Sequence, residues 1–236
     1  MNRFIAFTLA ETLIVIGVIG LVSALTLPNL NSSTGDKERV AKVKKIYRDL
    51  NDAFGRAEAV YGPFDEWFIN DADATAKAKR AGERITEFMK TSKVCSTTAN
   101  QPCFKSGAAK LFPSSEGDYS DYGYGTAGTG YYRIITADGA SVGISNSEII
   151  VDIDGPNKGA YQLGSDVFFF DMNSNKGIVP RHFDTEFSSL VGQLYGKGDS
   201  AAAWIIKYDN ADYLKFKNSG LCPNGTTVTE ANPRCK

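Results

Sequence analysis

Four side chains with oxygen donors crowd one short stretch of this chain. Asp152, Asp154 and Asn157 lie within Val151-Asp152-Ile153-Asp154-Gly155-Pro156-Asn157, and Asp166 follows after Gly164-Ser165. Hard cations such as Ca²⁺ take six to eight oxygen ligands, so this set points to calcium. The full EF-hand order of acidic residues, glycine and distal glutamate is absent. Asp-Gly-Pro-Asn is also a turn composition in its own right. The two readings are a calcium loop at Asp152, Asp154, Asn157 and Asp166, and a plain strand-ending turn.

Little else in the chain is equipped for catalysis. The one histidine, His182, sits between Arg181 and Phe183-Asp184. There is no G-x-S-x-G, no phosphate loop and no H-E-x-x-H. The chain therefore reads as a non-enzyme, with a hydrolytic domain as a remote alternative. The charge is nearly balanced, 26 basic against 27 acidic residues. That gives no long-range field for nucleic acid.

Four cysteines, Cys95, Cys103, Cys222 and Cys235, allow three pairings. Cys95–Cys103 and Cys222–Cys235 are favoured because each closes a short loop, and an oxidising compartment is implied. Free thiols and a zinc site are the alternatives, although no C-x-x-C pair is present.

One further carboxylate stands out by its setting. Glu11 precedes a run from Leu13 to Leu27 that carries no charge, closed by Pro28. A secretory signal would end in a small-residue cleavage site, which Leu27-Pro28-Asn29 does not supply. A plain membrane span needs about 20 apolar residues. Phe4 to Leu27 meets that length but encloses Glu11, at a cost of about 2.5–3.5 kcal/mol. Gly17 and Gly20 interrupt the run, with Ser23 and Thr26 behind them.

The elements that must position these groups follow from periodicity. Val40, Val43, Ile46, Tyr47, Leu50, Phe54, Ala57 and Tyr61 recur at helical spacing from Lys37 onward, an amphipathic helix ending before Gly62-Pro63. The polar stretch 31–36 reads as a break ahead of it. Ala72 to Lys90 reads as a second helix, weakened by Gly82, and 92–130 as loop. Tyr131–Thr136, Ala140–Ser145, Glu148–Asp154 and Asp166–Met172 read as strands, with Gly177–Pro180 a short one. Thr185–Tyr195 reads as helix and Ala203–Tyr208 as a late strand. Helix first, then mostly antiparallel strands, gives an α+β domain.

The N-terminal pattern of Ala6, Phe7-Thr8-Leu9-Ala10-Glu11, an apolar helix and Pro28 resembles the type IV pilin and type II secretion pseudopilin family. The resemblance implies a leader at 1–6, cleavage between Ala6 and Phe7, and N-methylation of Phe7. Glu11 would then lie one helical turn from the new amine and neutralise it, or that of a neighbouring subunit, during assembly. Ala6 stands where the family has glycine. Further implied are a transmembrane and assembly helix at 7–30, an amphipathic spine half at 31–62 and an α+β head at 63–236. The long helical spine would pack on a mostly antiparallel sheet. Expected partners are its own copies, other pilin-like subunits, a prepilin peptidase, and an inner-membrane platform with its ATPase. The location would be the inner membrane, through a single helix, before incorporation into a pilus or pseudopilus. The competing reading is a membrane-anchored extracytoplasmic binding module stabilised by calcium.

Overall fold

A computed structural model describes residues 9–98, 102–107, 109–112, 118–119 and 130–235, with backbone alone for 23–33 and 118–119. It is an α+β structure whose chain divides into two compact units, 1–38 and 39–236.

Helix α1 runs Leu9–Tyr61. Its backbone is helical through Pro28 and through 31–36, so the expected break does not form. In the first unit, nine large apolar side chains between Leu9 and Val22 are 52–80% exposed. The expectation of a transmembrane helix at 7–30, and with it inner-membrane anchoring, is overturned. No helix among the described residues is long and apolar enough to cross a membrane. Glu11 lies among the exposed apolar side chains of this segment.

The second unit is built on a six-stranded antiparallel sheet. Its strands are β1 (Thr91–Ser96), β4 (Tyr132–Thr136), β5 (Ser141–Ile144), β6 (Glu148–Asp152), β7 (Val167–Asn173) and β8 (Gly177–Pro180), adjacent in that order. A separate two-stranded pair joins β2 (Ala109–Lys110) to β3 (Asp118–Tyr119). Side chains alternate between faces along a strand. Ile149, Val151, Phe168 and Phe170 enter a core with Val43, Ile46, Leu50 and Phe54 of α1. Ile150, Val167 and Phe169 enter a second core under Cys95, Cys103, Phe104 and Leu163. Burial on both faces explains why β6 and β7 read as near-continuous apolar runs. Tyr47 stacks on Phe170 at 5.7 Å between centroids.

Helix α2 (Ala74–Thr86) is capped by Asp73, whose carboxylate accepts the Ala76 amide at 2.8 Å. Gly82, a weakness in a helix by propensity, is required by packing. A Cβ there would lie 2.1 Å from the Tyr132 ring. Helix α3 spans Phe187–Gly196 and α4 spans Ala201–Tyr208. The expected strand at Ala203–Tyr208 is thus helical. Ala201-Ala202-Ala203 favours helix strongly, and α4 is buried on several sides, with Trp204 donating to Asn210 Oδ1 at 3.0 Å. Strand β1, within the expected loop, is an exposed sheet edge with two register irregularities.

The structure joins Cys95 to Cys103 and Cys222 to Cys235, leaving no free cysteine. The second bridge closes a 13-residue separation around an otherwise loop-like C-terminus. Chain-entropy arguments assign a loop of that size about 3 kcal/mol. Replacing both Cys222 and Cys235 by Ser should lower unfolding stability by about that amount in urea titration.

Candidate functional site

Of the N-terminal residues singled out above, Ala6 and Phe7 lie outside the described residues. Glu11 is exposed on α1. Pro28 lies within the helix by its backbone. Leu13, Ile14, Val15 and Ile16 are consecutive and all exposed. At about 100° per residue they point in four directions around the axis, so the apolar surface encircles the helix.

The acidic residues come together at one end of the sheet. Asp152 ends β6, Asp166 precedes β7, and Asp154 opens the loop between them. A Cβ on Gly159 would lie 2.3 Å from Asp166 Oδ2 and 3.1 Å from Asp154 Oδ2, so both carboxylates converge on that glycine. Its φ of +73° and this close approach both require glycine. Asn157 is exposed and lines a cavity of about 290 Å³ with Lys42, Asp154 and Lys158.

Four of the six oxygens of the three carboxylates are already engaged. Asp166 accepts the Tyr161 and Gln162 amides, each at 2.7 Å. Asp152 Oδ1 accepts the Asp154 amide at 3.1 Å. Lys42 Nζ donates to Asp154 Oδ1 at 3.0 Å. Asp152 Oδ2 alone is buried without a hydrogen-bond partner. Burial, reinforced by the charges of Asp166 and Asp154, pushes the Asp152 carboxyl up to about 7. Burial also raises Asp166, against the pull of its amide donors. Among the described residues no group of three or more His, Cys, Asp or Glu is placed to hold a metal ion.

Sequence reasoning missed the cations around this loop. Arg39 Nε donates to the Ser165 carbonyl at 2.5 Å, and Lys105 Nζ to the Gly159 carbonyl at 3.0 Å. Arg39 and Lys42 are three apart and share one face of α1. That spacing was the available signal, but it reads equally as a solvated helix face.

His182 approaches Asp199, Nε2 to Oδ2, at 3.4 Å, and holds a left-handed φ of 62°. The neighbouring Ser200 hydroxyl donates to the Leu190 carbonyl at 2.9 Å. A larger cavity of about 560 Å³ lies between α1 and the β4–β5 turn, lined by Lys45, Asp49, Arg56, Phe88 and Asp138. Within it Lys45 bridges Asp49 and Asp138.

Compared with family models, with curated proteins and with solved structures, the chain matches none.

Proposed function

We propose that this chain is a structural subunit that self-assembles through the N-terminal half of α1, a pilin-like subunit of a type IV pilus or a type II secretion pseudopilus. The observation that carries this reading is the ring of exposed apolar side chains from Leu9 to Val22. A helix that is apolar all round must be enclosed. One partner covers one face, so a bundle of like helices is the arrangement that covers this one. Each Leu, Ile or Val contributes about 1.5–3 kcal/mol when fully buried, which supplies the driving force. In this reading the N-terminal half of α1 is the assembling part and residues 63 to 236 are the head.

Glu11 supplies the register. A carboxylate entering an apolar bundle needs a cationic partner. Cleavage before Phe7 by a prepilin peptidase would create one, the Phe7 amine, methylated, on the same or a neighbouring copy. An assembly platform and its ATPase would act on the processed chain. The size of the head, from 63 to 236, suits a minor or specialised subunit.

Mass spectrometry of the mature chain should find an N-methylated Phe7 as its first residue. An intact Met1, or a cut beyond Leu27, would reject the reading. Glu11→Ala should raise the concentration needed for filament assembly about tenfold, equivalent to about 1.4 kcal/mol. Sedimentation and electron microscopy read this directly. Assembly at the wild-type concentration would contradict the pairing.

A further inference from the structure

We infer that the loop 152–166 takes its positive charge from within the chain: Arg39, Lys42 and Lys105 hold it in place of a divalent cation. Three observations carry this, independently of how the protein assembles. First, the carboxylates of Asp154 and Asp166 converge on Gly159, as donors do around an ion. Second, three cationic side chains reach this loop from two separate parts of the chain. Lys42 contacts Asp154 directly, while Arg39 and Lys105 bind the Ser165 and Gly159 carbonyls. Those carbonyls are the groups that a hard cation would otherwise draw inward. Third, the remaining carboxylate oxygens except Asp152 Oδ2 and Asp154 Oδ2 receive backbone amides, which satisfy a carboxylate without metal.

The ammonium differs from a metal in one respect that matters mechanically. A metal would tie the loop to itself. Lys42 and Arg39 instead tie it to α1, so the loop holds the helix to the end of the sheet where β6 passes to β7. Of the three carboxylates only Asp154 meets one of these cations directly, Lys42, while Arg39 and Lys105 act on the loop carbonyls. The loop's conformation is then set by folding alone and is indifferent to calcium supply.

Thermal melting of the full chain, at about pH 8 where carboxylates are ionised, tests this with calcium chloride and EDTA as the probes. The wild type should melt at the same temperature in millimolar calcium and in EDTA. Lys42→Met should melt about 2–4 °C lower in EDTA, the shift expected for a chain of this size on losing one partly exposed ion pair. Calcium should restore part of that loss, because Asp154 is released as a ligand. Lys42→Arg should behave as wild type. The inference is overturned if calcium raises the wild-type melting temperature, if Lys42→Met melts with the wild type in EDTA, or if calcium leaves the Met variant unchanged.

Discussion

Arg181→Ala should lower unfolding stability by about 3–5 kcal/mol, the range for removing one partner of a mostly buried ion pair. Arg181 follows β8 and reaches back across two strands. Its guanidinium pairs with Glu148 of β6 and, at 2.9 Å, with Asp171 of β7, while lying 4.6 Å above the Phe169 ring. Burial alone would lower its proton affinity, but hydrogen bonds to Glu148 and Asp171 outweigh that and hold it above the ordinary arginine value. Glu148 also accepts from the Tyr131 hydroxyl. The Arg181 and Glu148 side chains are 18% and 15% exposed, whereas Asp171 is 42% exposed. Loss of the guanidinium therefore strands Glu148, not Asp171, in a site that water reaches poorly. Glu148→Gln in the Arg181→Ala background should recover a large part of the loss, because it removes the stranded charge. Asp171→Asn in the same background should recover little. Urea denaturation of the single and double variants separates these cases. A cost below about 1 kcal/mol for Arg181→Ala would place the pair with ordinary surface bridges.

That network shows why parts of the fold were legible in sequence and others were not. The α1 stripe from Val40 to Ala57 could be read because a helix buried on one side leaves a spacing of three and four. Strands β6 and β7 could be read because Glu-Ile-Ile-Val and Val-Phe-Phe-Phe are dense in β-branched and aromatic residues. Strand β1, Thr-Ser-Lys-Val-Cys-Ser, is an irregular exposed edge and carries no alternation to read. Helix α4 was misread because burial on several sides erases the amphipathic pattern, leaving Trp204-Ile205-Ile206 to suggest a strand. The apolar run behind Glu11 could be read by composition, but composition alone does not say whether such a run makes a membrane span, and among the described residues none is long and apolar enough.

The acidic loop divides along the same line. Asp152, Asp154 and Asp166 were visible as a group because they are near one another in sequence. Arg39 and Lys42 lie more than a hundred residues away from their partners, and Arg181 lies 33 residues from Glu148. Ion pairs that bridge distant elements leave no local mark. They become readable only once α1 has been laid on the sheet by its apolar stripe.

Asp152→Asn should stabilise the protein by about 2–4 kcal/mol near pH 8 and by close to nothing near pH 4. Asp152 is fully buried, and its carboxyl titrates at about 7 against an ordinary 3.8. Below the ordinary value both folded and unfolded chains hold the proton, and the side chain costs nothing by its charge. As pH rises, the unfolded chain releases its proton first, near 4, while the folded chain keeps it until about 7. Stability contributed by the proton is therefore lost progressively across that window and is gone above it. The span of about three pH units corresponds to roughly 4 kcal/mol as an upper bound. Asparagine removes the cost because its Oδ1 still accepts the Asp154 amide and its amide nitrogen, uncharged, replaces the unpartnered Oδ2. Other carboxylates titrate over the same range in both chains, so the difference between wild type and variant isolates Asp152. Urea midpoints compared at the two pH values give that difference. Equal effects at both values would mean that Asp152 ionises like a surface carboxylate. A loss at the higher value would mean that its charge is held by a cation closer than Lys42 on Asp154.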